Sequence, residues 1–389
     1  MKKLARNVVQ VAALAGLVLA SAACETVDPS DRGRVGGRVQ IAISGEDIAT
    51  EGIAFPEGSE VTIVDGWQLE LSHVLVTVGN VTLSDNPDLA PSDQSRSGAV
   101  VARADGPWAV DLHAAGSIPG AGGEGLATPL AWLENENERG AGAFIGDQRY
   151  AFSYDIMPAS PQASIVNFEG DDEAQAAYAA MIEAGATVLY AGTATFKGSE
   201  CQTSDESYDF GQIPKKVPFQ LAFSTPTRFV NCQNQDNQGD PFPDEEYQRG
   251  IAVPANGDAL AQITLHLEHF LFSATVHDPS LRFDQLAARL VGKPAGSVVT
   301  LDDLVGVDPT AFTDAAGAPL PARNCDGSAL PSGKQLRFET GSVPVDPAAK
   351  PSVALRDYRD FIQYVQSTQG HLNGGEGLCF VERQYPSPP

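Results

Sequence analysis

Trp67-Gln68-Leu69-Glu70-Leu71-Ser72-His73-Val74-Leu75-Val76-Thr77-Val78 alternates apolar and polar residues and then becomes continuously apolar and β-branched. A period of two marks a strand, because successive side chains leave a pleated chain on opposite faces. Read as one regular strand, the segment puts His73 on the face of Leu71 and Leu75. Residues 38–44, 60–64, 108–112, 150–156, 187–196, 217–223 and 260–276 carry similar patterns, separated by Gly, Pro, Asn and Asp. Many short strands broken by turn residues predict an antiparallel β-sandwich.

Helical signals are few. Residues 171–184 begin with Asp171, Asp172 and Glu173, continue rich in alanine and stop at Gly185, which predicts a capped helix. Shorter helices are expected over 283–290, 301–304 and 355–366. The fold class is therefore mainly β, a sandwich with a few inserted helices and a mixed helical and loop C-terminal part. The expected organisation is a signal peptide over 1–23, a tether over 24–37, a sandwich body over 38–278, and a C-terminal part over 279–389 packed on it.

The chain has 389 residues, 42% of them hydrophobic, enough to fill a sizeable core. Its 38 Gly and 27 Pro favour turns over long helices. With 50 acidic against 25 basic residues, the net charge is -25, which leaves no basic surface for a phosphate backbone. Nucleic acid is excluded as a partner on this ground.

The N-terminus reads as an export signal. Lys2, Lys3 and Arg6 precede an apolar run over 8–20, and Ser21-Ala22-Ala23-Cys24 follows. The cysteine after two small residues resembles a bacterial lipobox, so Cys24 is expected to be lipidated and to tether the protein to the membrane. Ser21 stands where Leu is usual, and ordinary cleavage with soluble export is the alternative. Glu25 stands in place of an Asp retention signal, which points to an outer-membrane lipoprotein facing the periplasm or the cell surface. Four cysteines then remain, Cys201, Cys232, Cys325 and Cys379, and an even number in an exported chain predicts two disulfides. Each of the pairings Cys201 to Cys232 and Cys325 to Cys379 brackets one polar stretch, so these are the favoured connectivities.

Six histidines are sparse, so their placement carries information. His266, His269 and His277 lie close together, His73 and His113 sit in or at the end of strands, and His371 falls in a glycine-rich stretch read as loop. On a regular strand His266 and His269 would face opposite ways; a bulge or a local helical turn would bring them together. Imidazole is the commonest ligand of zinc and copper and takes a carboxylate or carbonyl on its other nitrogen. His73, His113, His266, His269 and His277 are the candidate ligands, with Glu268, Asp111 and Asp278 as supporting carboxylates. Packed core histidines are the structural alternative. Three Met and disulfide-bonded cysteines disfavour soft sulfur ligation, leaving copper or zinc as the expected metal.

Enzyme motifs are weak. Gly120-Ala121-Gly122-Gly123-Glu124-Gly125 has the dinucleotide-binding spacing, but Pro119 and Pro129 flank it and no βαβ pattern surrounds it, so a glycine loop is expected.

The segments Asp65 to Leu83 and Trp108-Ala109-Val110-Asp111-Leu112-His113 resemble exported bacterial copper-binding sandwich proteins, those encoded beside methanobactin and di-haem peroxidase genes. The resemblance is confined to these two segments. It implies copper held by His and an oxidised Trp; Trp67, Trp108 and Trp132 are present, and no ligand is carried over from the family. The resulting expectation is a lipid-anchored metal-binding protein acting in metal capture or handling, without turnover. The alternatives are an envelope lipoprotein that binds a protein or glycan through disulfide-stapled loops, and a hydrolase using metal-bound water.

Overall fold

The computed structural model describes residues 37–56, 61–123, 125–134, 144, 148–254, 257–276, 279–340, 342–344, 352–374 and 377–383. The expected leader, Cys24 and the expected tether as far as residue 36 lie outside the described residues, as do His277 and Asp278. Gly36–Pro389 forms one compact unit.

The chain is mainly β, arranged in a ten-stranded and a five-stranded sheet with two small two-stranded ribbons. The spine of the large sheet runs Lys216–Phe223, Val188–Phe196, Trp67–Ser84, Gln148–Ile156, Thr227–Val230, Phe380–Arg383, all antiparallel. The smaller sheet runs Gly370–Leu372, Asp258–Leu265, Arg38–Ser44, Leu126–Glu134, Ile118–Pro119. Arg38–Ser44 and Asp258–Leu265 are parallel, with Ser44 opposite Thr264. Val39, Ile41 and Ile43 of the small sheet share one hydrophobic core with Leu69, Val74, Val76, Tyr154 and Phe219 of the large one. This is a sandwich-like arrangement, and two layers of apolar faces closing on each other supply its main driving force.

The segment after residue 279 is woven into both layers. Gly370–Leu372 joins the small sheet and Phe380–Arg383 the large one. The helix Asp172–Ala184 forms where its caps predict it: Asp171 accepts from the backbone N–H of Glu173 and Ala174, and Gly185 adopts the left-handed conformation. It covers the outer face of the large sheet, with Tyr178 and Met181 packed near Leu75 and Ala109.

Three sequence expectations are corrected. The strand expected over 260–276 ends at Leu265, and a 3-10 turn over Leu267–Leu271 takes its place. The strand Trp67–Ser84 is not regular, because its pairing shifts between Leu71 and His73 and leaves Ser72 as an extra residue. Before that bulge Trp67, Leu69 and Leu71 face the main core; after it Val74, Val76 and Val78 do. Leu75 consequently packs under the Asp172–Ala184 helix, so His73 does not share a face with Leu71. Finally, the disulfides are Cys201 to Cys325 and Cys232 to Cys379, not the bracketing pairs. Strand pairing decides this. Gln202 lies opposite Asn324, and Val230 lies opposite Phe380, so each cysteine beside them meets a partner distant in sequence.

Candidate metal centre

Three chain segments that end together at one edge of the small sheet build the site. In the parallel pair, Ser44 opposite Thr264 carries forward to Glu46 and His266 just beyond the strands. In the antiparallel pair, Thr264 lies opposite His371, and the His266 N–H donates to the Gln369 carbonyl at 2.9 Å. The 3-10 turn Leu267–Leu271 then repeats every three residues, which returns His269 to the side of His266. This is the local helical turn that the His-x-x-His spacing needs.

The result is a convergence of donors. One candidate ligand atom from each of His266, His269 and His371 lies within 4.8 Å of the others, and the same holds for Glu46, His266 and Glu268. The His266 and His371 rings stack at 4.3 Å between centroids, with His269 edge-on to His266 at 5.7 Å. Glu46 Oε1 is 3.0 Å from His266 Nε2, and Glu268 Oε1 is 3.7 Å from His266 Nδ1. Glu46 reaches this position from a backbone φ of 57°, in the left-handed region that a non-glycine residue adopts at a cost.

Hydrogen bonds fix which nitrogen two of the rings present. The Thr368 hydroxyl donates to the Val365 carbonyl at 2.7 Å, so its oxygen accepts from His269 Nδ1, also at 2.7 Å. The Gly377 carbonyl can only accept, and it lies 3.2 Å from His371 Nδ1. Both imidazoles are thereby held as Nδ1–H tautomers with Nε2 as the basic atom, the arrangement that orients metal-ligating histidines. Phe272 stacks on His269 at 4.3 Å. Tyr190 donates to Gln369 nearby, and burial, augmented by the charge of Glu268, holds its phenol above the ordinary range.

The donor set suits a metal ion. Tetrahedral zinc with bonds near 2.0–2.1 Å sets its ligands roughly 3.4 Å apart, so modest side-chain movement would close the observed spacing. Three imidazoles with carboxylates at hand match the N/O preference of zinc and copper(II). Soft sulfur is absent from the cluster, since the four described cysteines are disulfide-bonded.

The other expected ligands lie elsewhere. His73 is buried and its Nδ1 sits 2.8 Å from Asp111, whose second oxygen accepts from the Val74 and His113 N–H groups. The Ser72 bulge sends this pair to the helix side of the sheet, where the Ala174 N–H lowers the pKa of Asp171. His113 donates through Nδ1 to the Ala49 carbonyl at 2.8 Å, so it supports the short helix Glu46–Glu51 that carries Glu46. Among the described residues neither enters a cluster of metal-ligating groups. The sequence reading missed Glu46 and His371. Glycines around His371 suggested a loop, yet Gly370 is there because a Cβ would collide with the Tyr154 hydroxyl and the Phe229 ring.

Trp67 donates its indole N–H to Asp284 at 2.8 Å, and Trp132 lies under the Arg38 guanidinium at 4.4 Å. The glycine run over 120–125 leads into the strand Leu126–Glu134, so the helix that a dinucleotide fingerprint requires is replaced by β structure. The two disulfides indicate an oxidising environment, as in exported proteins. Among the described residues no helix is long and apolar enough to cross a membrane. No family model, curated protein or solved structure matches this chain, so the chemistry of the site rests on its own geometry.

Proposed function

We propose that this chain is an exported, lipid-anchored metal-binding protein that captures or handles copper or zinc through His266, His269 and His371, with Glu46 and Glu268 as adjacent carboxylates. The observation that carries this reading is the convergence of three imidazoles, two of them locked in the ligand tautomer. The acidic chain supports it, because net negative charge raises the local cation concentration. The sequence resemblance to exported copper-binding sandwich proteins points the same way.

The test is metal analysis of protein purified without an affinity tag and then titrated with Zn(II) and with Cu(II). About one equivalent of one of these metals is expected to bind tightly, and a His266→Ala/His269→Ala double variant should lose it. Unchanged metal content in a folded double variant would overturn the assignment. Absence of binding in the wild type would instead favour recognition of a protein or glycan by the disulfide-stapled loops.

A further inference from the structure

A second polar centre lies beside the Cys201 to Cys325 disulfide. Asp284 accepts from Trp67 Nε1 and, through both oxygens, from Nε and Nη2 of Arg323. Arg282 points its guanidinium at the Arg323 carbonyl and the Asn324 side-chain oxygen, and so has no carboxylate of its own in these bonds. Asp65 accepts from the Phe283 and Asp284 N–H groups. Burial, reinforced by the charge of Asp284, raises the Asp65 carboxyl to about 7, which withdraws part of its negative charge at neutral pH. Two guanidinium groups thus lie beside two carboxyl groups, one of which has its negative charge reduced.

The spare positive character opens into a cavity. Its walls are Trp67, Phe196, Phe210, Ile213, Lys215 and Arg323, and its volume is about 210 Å³. Arg323 is 6% exposed, lies 4.0 Å from the Phe196 ring centroid and 4.4 Å from that of Phe210, and lines the cavity. With Nε and Nη2 committed to Asp284, its Nη1 has no hydrogen-bond partner among the described residues. A guanidinium nitrogen left with donor capacity at a pocket wall is free to serve an acceptor that enters the pocket. Lys215, exposed at the rim, supplies a second cation. Asp209, the nearby acid, caps the Phe210–Gln212 turn by accepting from the Gly211 N–H.

We propose that this cavity is a binding site for a small carboxylate with a flat apolar body, the carboxylate meeting Arg323 Nη1 and Lys215 and the body lying against Phe210 and Ile213. The size agrees: an apolar cavity of about 150 Å³ already accommodates benzene, so this one holds a ring together with its carboxylate. The site is independent of the histidine cluster, and neither proposal needs the other.

The test uses the intact, disulfide-bonded protein treated with EDTA, so that a carboxylate cannot ligate a metal at the histidines. Benzoate is titrated by calorimetry and by tryptophan fluorescence, with benzyl alcohol as the neutral counterpart. Benzoate should bind at least about ten-fold more tightly than benzyl alcohol, the scale of one charge-assisted hydrogen bond. Lys215→Gln, at an exposed position, should weaken benzoate about three- to ten-fold and leave benzyl alcohol unchanged. Arg323→Lys should weaken it further where the variant folds. Equal affinity for the two probes, no saturable benzoate binding, or benzoate affinity indifferent to Lys215→Gln would each overturn the proposal.

Discussion

The two disulfides each stand beside a buried polar centre, and the two centres have opposite character. Cys232 to Cys379 closes next to the histidines, where Gly377, two residues from Cys379, accepts from His371. Cys201 to Cys325 closes next to Arg282, Arg323, Asp65 and Asp284. The first centre presents basic nitrogens and carboxylates, so it suits a cation. The second presents guanidinium donors, with a carboxyl held near 7 by burial, so it suits an anion. The same device, a distant short strand brought in by pairing and then stapled, can therefore frame either kind of chemistry. What differs is whether the imported residue is an acceptor such as His371 or a donor such as Arg323.

The sharpest way to break this comparison is to cut each staple alone. Replacing both Cys232 and Cys379 by Ser should cost about 2–5 kcal/mol in chemical denaturation and weaken metal binding, because a large loop is released beside His371. The Cys201/Cys325 double Ser variant should lose comparable stability while metal affinity stays unchanged. Equal loss of metal affinity in both would show that the staples act only on the whole fold.

Single side chains sharpen it further. His371→Ala should lower zinc or copper affinity about 100-fold in a competition assay, since one of three imidazoles is gone, whereas His73→Ala should leave affinity unchanged. His73→Ala should instead destabilise the protein by about 1–3 kcal/mol, because buried Asp111 loses its partner.

The anionic side of the second centre gives a pH signature. Asp65 holds its proton in the folded chain up to about 7, while an unfolded Asp releases it near 3.9. Between those values the folded state binds more protons, so this group's contribution makes stability fall as pH rises from about 4 to about 7 and level off above. Asp65→Asn should flatten that part of the profile, read as the difference between the two unfolding curves across the window. A parallel profile in the variant would remove Asp65 as the cause.

The smallest effect is expected from deleting Ser72. Without the extra residue Leu71 and Val74 become next-but-one neighbours and keep their common face, so the strand should pair regularly with little loss in Tm.

Ser72 also shows where sequence reading stops. The apolar alternation around it located the strand, but a bulge is invisible in periodicity until the partner strand fixes the register. The helix from Asp172 was legible because its caps are local, Asp171 at one end and Gly185 at the other. His266 and His269 were legible as a pair by spacing alone. Their third member was not, since His371 depends on antiparallel pairing with Thr264, and Glu46 depends on parallel pairing over more than two hundred residues. The disulfide connectivity failed for the same reason: pairing of Val230 with Phe380 is a property of the sheet, not of the segment between two cysteines.

The parallel pairing of Arg38–Ser44 with Asp258–Leu265 has a temporal meaning as well. The donors come from the beginning, the middle and the end of the chain, Glu46, His266 with His269, and His371. A chain delivered from its N-terminus exposes these groups one after another, and no length that stops short of His371 contains all three imidazoles. Contacts so far apart in sequence form late and slowly. The donor cluster is therefore complete only once the chain through His371 is present and folded, so shorter lengths of chain lack the full set of groups that could hold an ion.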